Sequence, residues 1–241
     1  VELVRLTDLK ILPCDGCMSC VFANRPCHLP DDIPWLFEHM LGADGLVVGA
    51  PTYVLGPAGL VKMVLDRYLM LGHKVRELGS RGRRGVSISV AGLEGWNPFG
   101  PGLLNLLLLA VQARPVGWLQ AYAPGPGEVL LEPGMVEKAH ALGQLLASSP
   151  APSVPGESCS RPQPALFEGG AFACPFCGSQ ALRIGRGEVE CPICSSRAPL
   201  EAGEVGEFRT PGPHGHRWDP LPAREHIEGW GMSTRDRYLA R

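Results

Sequence analysis

The sequence predicts an α/β fold: a doubly wound parallel sheet followed by a second, much smaller metal-bound domain. Three observations carry this. Up to about residue 146, short β-branched runs alternate with segments of helical periodicity. A polar, proline-rich stretch, "ASSPAPSVPGESCSRPQP" (147–164), then buries too little to fold and reads as a linker. Beyond it, two C-x2-C pairs are separated by 13 residues.

Taken in order, residues 1–6 ("VELVRL") alternate apolar and polar residues as a strand does. The chain opens on Val1 and goes straight into what reads as an interior strand, so a preceding segment is expected to be missing. Asp31 and Asp32 precede Pro34 and the helical "WLFEHML", with Asp32 placed to cap and Pro34 in the first turn. "GLVVGA" (45–50) is a strand, and after it Leu60, Val61, Val64, Leu65 and Tyr68 fall at helical spacing. "GVSISVAG" (85–92) and "PVGWLQAYA" (115–123) are further strands, with helices over 102–113 and 133–149. Strand and helix in this rhythm argue for a parallel sheet covered on both faces. In such sheets ligands sit at the carboxyl ends of the strands, which predicts that the cysteine loop after the first strand, residues 50–59 and residues 91–102 lie together.

Bulk properties narrow the classes. With 241 residues and 45% hydrophobic content the chain can bury a proper core, and a formal net charge of -2 supplies no field to recruit nucleic acid or an anionic membrane. The longest apolar run, "LLNLLLLAV" (103–111), is about half the ~20 residues that cross a bilayer and reads as a buried helix. No basic, apolar leader opens the chain, so a cytoplasmic setting is expected, where clustered thiols bind metals or do redox work more often than they form structural disulfides.

Four of the nine cysteines crowd into "CDGCMSCVFANRPC" (14–27). Cys14, Cys17, Cys20 and Cys27 have the spacing C-x2-C-x2-C-x6-C. Three thiolates two residues apart on a looping backbone can reach three corners of a [4Fe-4S] cube, and a fourth a few residues later closes it. Zinc more often pairs two separated knuckles, so the spacing favours iron and sulfur, with zinc, a redox disulfide or bare thiols as the alternatives. His28, next to Cys27, reads as an exposed loop histidine rather than a ligand.

"ADGLVVGAPTYVLGPAGLVKMVLDRY" (43–68) resembles the third strand, flavin loop and following helix of the NAD(P)H-dependent FMN reductase group of flavodoxin-like proteins. "CDGCMSCVFANRPCHLPDDI" (14–33) resembles the compact cysteine motif of the iron–sulfur flavoproteins in that group. The resemblance covers residues 1 to about 146. It implies a flavodoxin-like sheet, with FMN lined by Pro51, Thr52, Tyr53 and Val54 and approached by Ala91, Gly92 and Gly95. The opening strand and Gly/Ser-rich phosphate loop of the family would fall before Val1, in the segment expected to be missing. The implied activity is electron transfer between a low-potential donor such as ferredoxin or NAD(P)H, a [4Fe-4S] cluster, FMN and an acceptor. A homo-oligomer with FMN near a subunit interface, or a place in a larger redox complex, is implied as well. Two other readings stand beside it: a cluster-free NAD(P)H-dependent FMN or quinone reductase, and a zinc-ribbon redox adaptor without catalysis.

The second quartet, Cys174, Cys177, Cys191 and Cys194 in "ACPFCGSQALRIGRGEVECPICSS", has the zinc-ribbon pattern C-x2-C-x13-C-x2-C. Residues 185–187 would turn between strands 181–184 and 188–190, and four thiolates would hold a structural Zn2+ with no open position for chemistry. The organisation expected is a flavin and iron–sulfur domain (1–146), a linker (147–167), a zinc ribbon (168–200) and an extended tail (201–241). Arg183, Arg186 and Arg197 are balanced by Glu188, Glu190 and Glu201, so nucleic-acid affinity is not implied. Cys159 reads as incidental, His214, His216 and His226 as a solvated tail, and Trp230 and Tyr238 as anchors for that tail.

Overall fold

The computed structural model describes residues 1–74, 77–78, 81–148, 173–209 and 217–240. The central sheet is built on three parallel strands, β1 (Gly45–Tyr53), β3 (Arg84–Ala91) and β4 (Arg114–Tyr122). A two-residue β2 (Gly56–Pro57) folds back antiparallel on β1, giving the order β2-β1-β3-β4. The register between β1 and β3 runs from Gly45 opposite Arg84 to Pro51 opposite Val90. Helices α1 (Ser19–Phe22), α2 (Ile33–Gly42), α3 (Gly59–Asp66), α4 (Gly100–Ala110) and α5 (Met135–Ser148) supply the crossovers and cover.

Helices cover both faces of β3 and β4, whereas β1 leaves Val47 exposed on one side. On one side, Ile33, Leu36 and Phe37 of α2, Val61, Val64 and Leu65 of α3 and Leu104, Leu107 and Leu108 of α4 form the main core. On the other, Val86 and Leu119 of the sheet meet Leu142 of α5. The predicted elements after residue 30 are present with ends shifted by a few residues.

The predicted first strand is a correction. Residues 1–5 form no ladder, and Leu6–Asp8 is a 3-10 turn. Val4, Leu6, Leu9 and Ile11 pack on the α2–α3–α4 core while Val1 and Leu3 face outward. The alternation therefore reports a half-buried arm; a strand also needs a neighbour to bond with, and among the described residues none runs beside it.

The second domain is an antiparallel sheet of β5 (Arg183–Ile184), β6 (Glu188–Glu190), β7 (Arg197–Glu201) and β8 (Glu204–Val205), in that order. Arg183 pairs with Glu190 at 3.4 Å and Arg197 with Glu188 at 3.2 Å on its exposed side, contacts of the kind that add little stability. The C-terminal segment is not merely extended: α6 (Pro220–Glu225), a π-turn (His226–Gly231) and α7 (Arg235–Leu239) follow, and Ile227 packs against Val21 and Phe22 of α1. The linker with Cys159, His214 and His216, and the side chains of Trp230 and Tyr238, lie outside the described residues. Among the described residues, no helix is long and apolar enough to cross a membrane.

Helix α4 explains its own unbroken hydrophobicity. One side packs on β3 and β4, while Leu109 joins the core of the cysteine domain with Phe176, Val189 and Phe208. Its Asn105 is fully buried, accepts from Ser87 Oγ at 2.7 Å and donates to the Cys177 carbonyl at 3.0 Å. Gly178 sits beside it at φ +70, where an added Cβ would stand 2.9 Å from Trp118 and 3.0 Å from Asn105 Nδ2. Asn105→Ala leaves the Ser87 hydroxyl and the Cys177 carbonyl without these partners in a dry interior. It should therefore lower unfolding stability by about 1–3 kcal/mol, read as a fall in denaturant midpoint.

Candidate functional site

The cysteine domain brings its four thiols together. Cys174, Cys177, Cys191 and Cys194 are fully buried, with Sγ separations of 3.5 Å for Cys174 and Cys194 and 3.5 Å for Cys177 and Cys191. Tetrahedral thiolates about 2.3 Å from an ion lie about 3.8 Å apart, so these separations suit a single small cation. Two matching turns shape the site: Gly178 N–H donates to the Cys174 carbonyl and Ser195 N–H to the Cys191 carbonyl, with Gly178 and Ser195 both at positive φ. Ser196 Oγ lies 3.2 Å from the Cys174 sulfur and 3.1 Å from the Cys194 sulfur. Mutual hydrogen bonds push the Cys174 and Cys191 thiols down and those of Cys177 and Cys194 up, so the four thiols hold their charge as one set.

Two of the three loops expected to meet do so. Thr52 Oγ1 donates to Asn97 Oδ1 at 2.7 Å, and Phe99 N–H donates to the Leu55 carbonyl at 3.2 Å. Asn97 is itself buried, donating to Ser89 Oγ at 2.6 Å and accepting at its carbonyl from Gln120 Nε2 at 3.3 Å. Gln180 of the cysteine domain then donates to Gln120 Oε1 at 3.1 Å, so a polar chain runs from the second domain to the β1–β2 turn.

That turn is strained. Tyr53 pairs with Gly56, leaving a two-residue loop in which Val54 (φ 48) and Leu55 (φ 71) are both left-handed. Asn-Gly is the usual pair for such a turn, and a β-branched residue in that region is a genuine outlier. Tyr53, Val54, Trp96 and Phe99 stand exposed around it, Val54 at 95%. Pro51, Thr52, Tyr53 and Val54 thus present an aromatic face and main-chain groups at the sheet's carboxyl end, beside Ala91, Gly92 and Gly95 of the next loop. Gly95, at φ +79 with nothing within 4 Å of an added Cβ, leaves open space there. A planar, polar-edged ring fits this arrangement.

The third loop is placed elsewhere, which corrects the expectation of one shared cluster. Cys14, Cys17, Cys20 and Cys27 line one cavity of about 30 Å³, but its other walls are Asp66, Arg67, Leu69 and Met70 at the carboxyl end of α3. The eight residues of α3, about 12 Å, separate that end from the flavin loop. Gly16 (φ 73) and Met18 (φ 55) coil the loop inward. Burial pushes the Cys20 thiol up, and charge on Cys17, Cys27 and Cys14 adds to it, so the four thiols sense one another. Unlike the second quartet, they do not all lie within 4.8 Å of one another; within that distance Cys17 groups with Asp15 and His28 instead.

Two residues around this loop carry more than the sequence indicated. His28 is exposed, as expected, and its Nε2 lies 2.9 Å from Asp15 Oδ2 and its Nδ1 3.6 Å from Cys17 Sγ. Arg67, missed entirely, is 2% exposed; Nη1 donates to Asp31 Oδ2 at 2.8 Å and the Leu12 carbonyl at 3.1 Å, and Nη2 to Cys27 Sγ at 3.1 Å. Asp32 occupies the cap position of α2 but turns its carboxylate to Lys10 N–H, while Asp31 takes the arginine. A charged residue inside an amphipathic helical run was the one available signal.

The fold and sites define a flavodoxin-like α/β domain with a parallel sheet, joined to a small antiparallel four-stranded domain built on a four-cysteine cluster. Residues 1–96 match the NADPH-dependent FMN reductase family. An iron–sulfur flavoprotein of Archaeoglobus fulgidus is 32% identical over 149 residues, 62% of this chain and 65% of that protein. A flavone synthase of Aspergillus candidus is 25% identical over 236 residues, 87% of this chain and 71% of that protein. A solved flavone reductase superposes with a TM-score of 0.66 at 20% identity, covering 99% of this chain and 81% of that one, a likeness of fold. The chain spans less than two thirds of the length of the iron–sulfur flavoproteins it matches. Its first part is thus similar to the NADPH-dependent FMN reductase family and to the iron–sulfur flavoproteins.

Replacing the strained pair by Val54→Asn with Leu55→Gly should raise the thermal midpoint, since each left-handed L-residue costs about 1–2 kcal/mol. The same variant should weaken flavin binding, measured by fluorescence titration with FMN. A second expectation concerns acid. Burial raises the Asp31 carboxyl, but hydrogen bonds from Arg67 and Leu12 N–H and the charge of Arg67 outweigh it and hold it below the ordinary value. With its folded value below the unfolded one, Asp31 stabilises the fold above about pH 4, and that contribution is lost as pH falls through the lowered folded value. Thermal midpoints measured against pH should show this acid-side fall in the wild type. In Asp31→Asn the fall should be reduced, and the midpoint should be lower at pH 7.

Proposed function

We propose that this chain is a redox protein that moves electrons between a low-potential donor, an iron–sulfur group held by Cys14, Cys17, Cys20 and Cys27, FMN at the β1–β2 turn, and an acceptor. The observation that carries the reading is the gathering of all four cysteines around one small cavity whose back wall is a buried arginine donating to a cysteine sulfur. An iron–sulfur group would supply single-electron steps and FMN two-electron exchange with single-electron release.

The residues divide the remaining work. Tyr53 offers a ring face and the backbone of 51–54 its polar groups, while Asn97 pins the turn through Thr52. Cys174, Cys177, Cys191 and Cys194 are read as a structural Zn2+ site, closed to substrate because all four thiols are buried. The exposed apolar rim of Tyr53, Val54, Leu93, Trp96 and Phe99 supports pairing with a second copy over the flavin loop.

A second reading rests on a different observation: the alignment with the flavone synthase spans 87% of this chain, whereas those with iron–sulfur flavoproteins span 62% or less. On that reading the protein reduces or oxidises a planar aromatic substrate on FMN without a cluster.

Anaerobic purification followed by iron, sulfide, zinc and flavin counts on one sample separates the two. About four iron per chain with FMN and about one zinc is expected for electron transfer. FMN and zinc without iron would overturn that reading in favour of the cluster-free reductase.

A further inference from the structure

We infer that Arg67 is a buried cation that sets the reduction potential of the group held by Cys14, Cys17, Cys20 and Cys27, an inference that rests on the iron–sulfur reading proposed above. Arg67 caps the carboxyl end of α3, and its guanidinium forms the wall of the cysteine cavity. Its side chain is 1% exposed and that of Asp31 0%, so the pair lies outside water's screening.

The guanidinium does two separable things. Nη1 clamps the loop, holding Asp31 Oδ2 and the Leu12 carbonyl. Nη2 reaches past Asp31, 3.3 Å away, to place a charge-assisted donor 3.1 Å from Cys27 Sγ, and Nε has no hydrogen-bond partner among the described residues. A clamp alone would be satisfied by Asp31 and Leu12. The sulfur contact is additional, and it puts positive charge where thiolates gather.

Position makes the charge matter. The carboxyl end of a helix carries partial negative charge, so the end of α3 by itself opposes both thiolates and an arriving electron. Arg67, although paired with Asp31, turns a charge-assisted donor onto the Cys27 sulfur at that end. The potentials of such groups follow net charge, hydrogen bonds to sulfur and exposure to solvent, and a donor cation stabilises the more negative, reduced form. Arg67 therefore raises the potential. Lysine would keep the charge but cannot fork between Asp31 and Cys27.

The test uses the full chain, purified anaerobically, as wild type, Arg67→Lys, and the paired Arg67→Met with Asp31→Asn, which leaves no buried charge alone. Each is counted for iron, sulfide and zinc, checked by circular dichroism, and titrated with dithionite against mediators while the reduced cluster signal is followed by electron paramagnetic resonance. The expected result is iron retained in all three, with the midpoint shifted to lower potential in both variants, since each loses the forked donor on Cys27. Iron-loaded variants with the wild-type midpoint would overturn the inference alone. Variants that lose iron, or of which neither folds, would overturn it too, by making Arg67 only the clamp. A wild type without iron would overturn the iron–sulfur reading and this inference together.

Discussion

Helix α4 has no side left for water, and the rest of the architecture answers to that constraint. Its leucines fill the core beneath β3 and β4 on one side and the interior of the four-cysteine domain on the other. A helix so apolar is stable only when wrapped, so the small domain acts as the outer layer of the sheet and not as an appendage on a tether. Conversely, a four-stranded domain of such short strands has a small core of its own and leans on α4 and on its cluster of buried thiols.

Polar groups inside this sandwich set its register. Ser87 and Ser89, neighbours but one on β3, each bind a buried asparagine: Asn105 ties the sheet to the Cys177 carbonyl, and Asn97 ties it to Thr52 at the end of β1. Gln120 and Gln180 link the second domain to the same Asn97. Such networks specify one arrangement because any slip strands several buried donors at once. The strained Val54–Leu55 turn is held open at the end of this network, with Phe99 N–H on the Leu55 carbonyl.

The cysteine loop obeys a different logic. It is held by Arg67 and Asp31, by His73 Nε2 at 3.0 Å from the Cys20 carbonyl, and by a small apolar cluster in which Val21 and Phe22 of α1 meet Ile227 of the carboxyl-terminal segment. Binding elements on such a loop are anchored at a few polar points while the sheet supplies rigidity.

By itself the sequence determined what depends on local spacing. Period 2 and period 3.6 placed β1, β3, β4 and the major helices, and C-x2-C-x13-C-x2-C specified the buried thiol site of the second domain, because ligands two residues apart converge through the local turn alone. Tertiary structure decided whatever joins distant residues. The alternation of residues 1–6 could not reveal that no strand lies beside them among the described residues, and the Asp32 cap position gave no sign that Asp31 beside it meets Arg67, 36 residues on. Nor could a loop's place after the first segment show that it settles at the far end of α3. Side-chain reach, burial and charge pairing are properties of the assembled interior, and no window of sequence contains them.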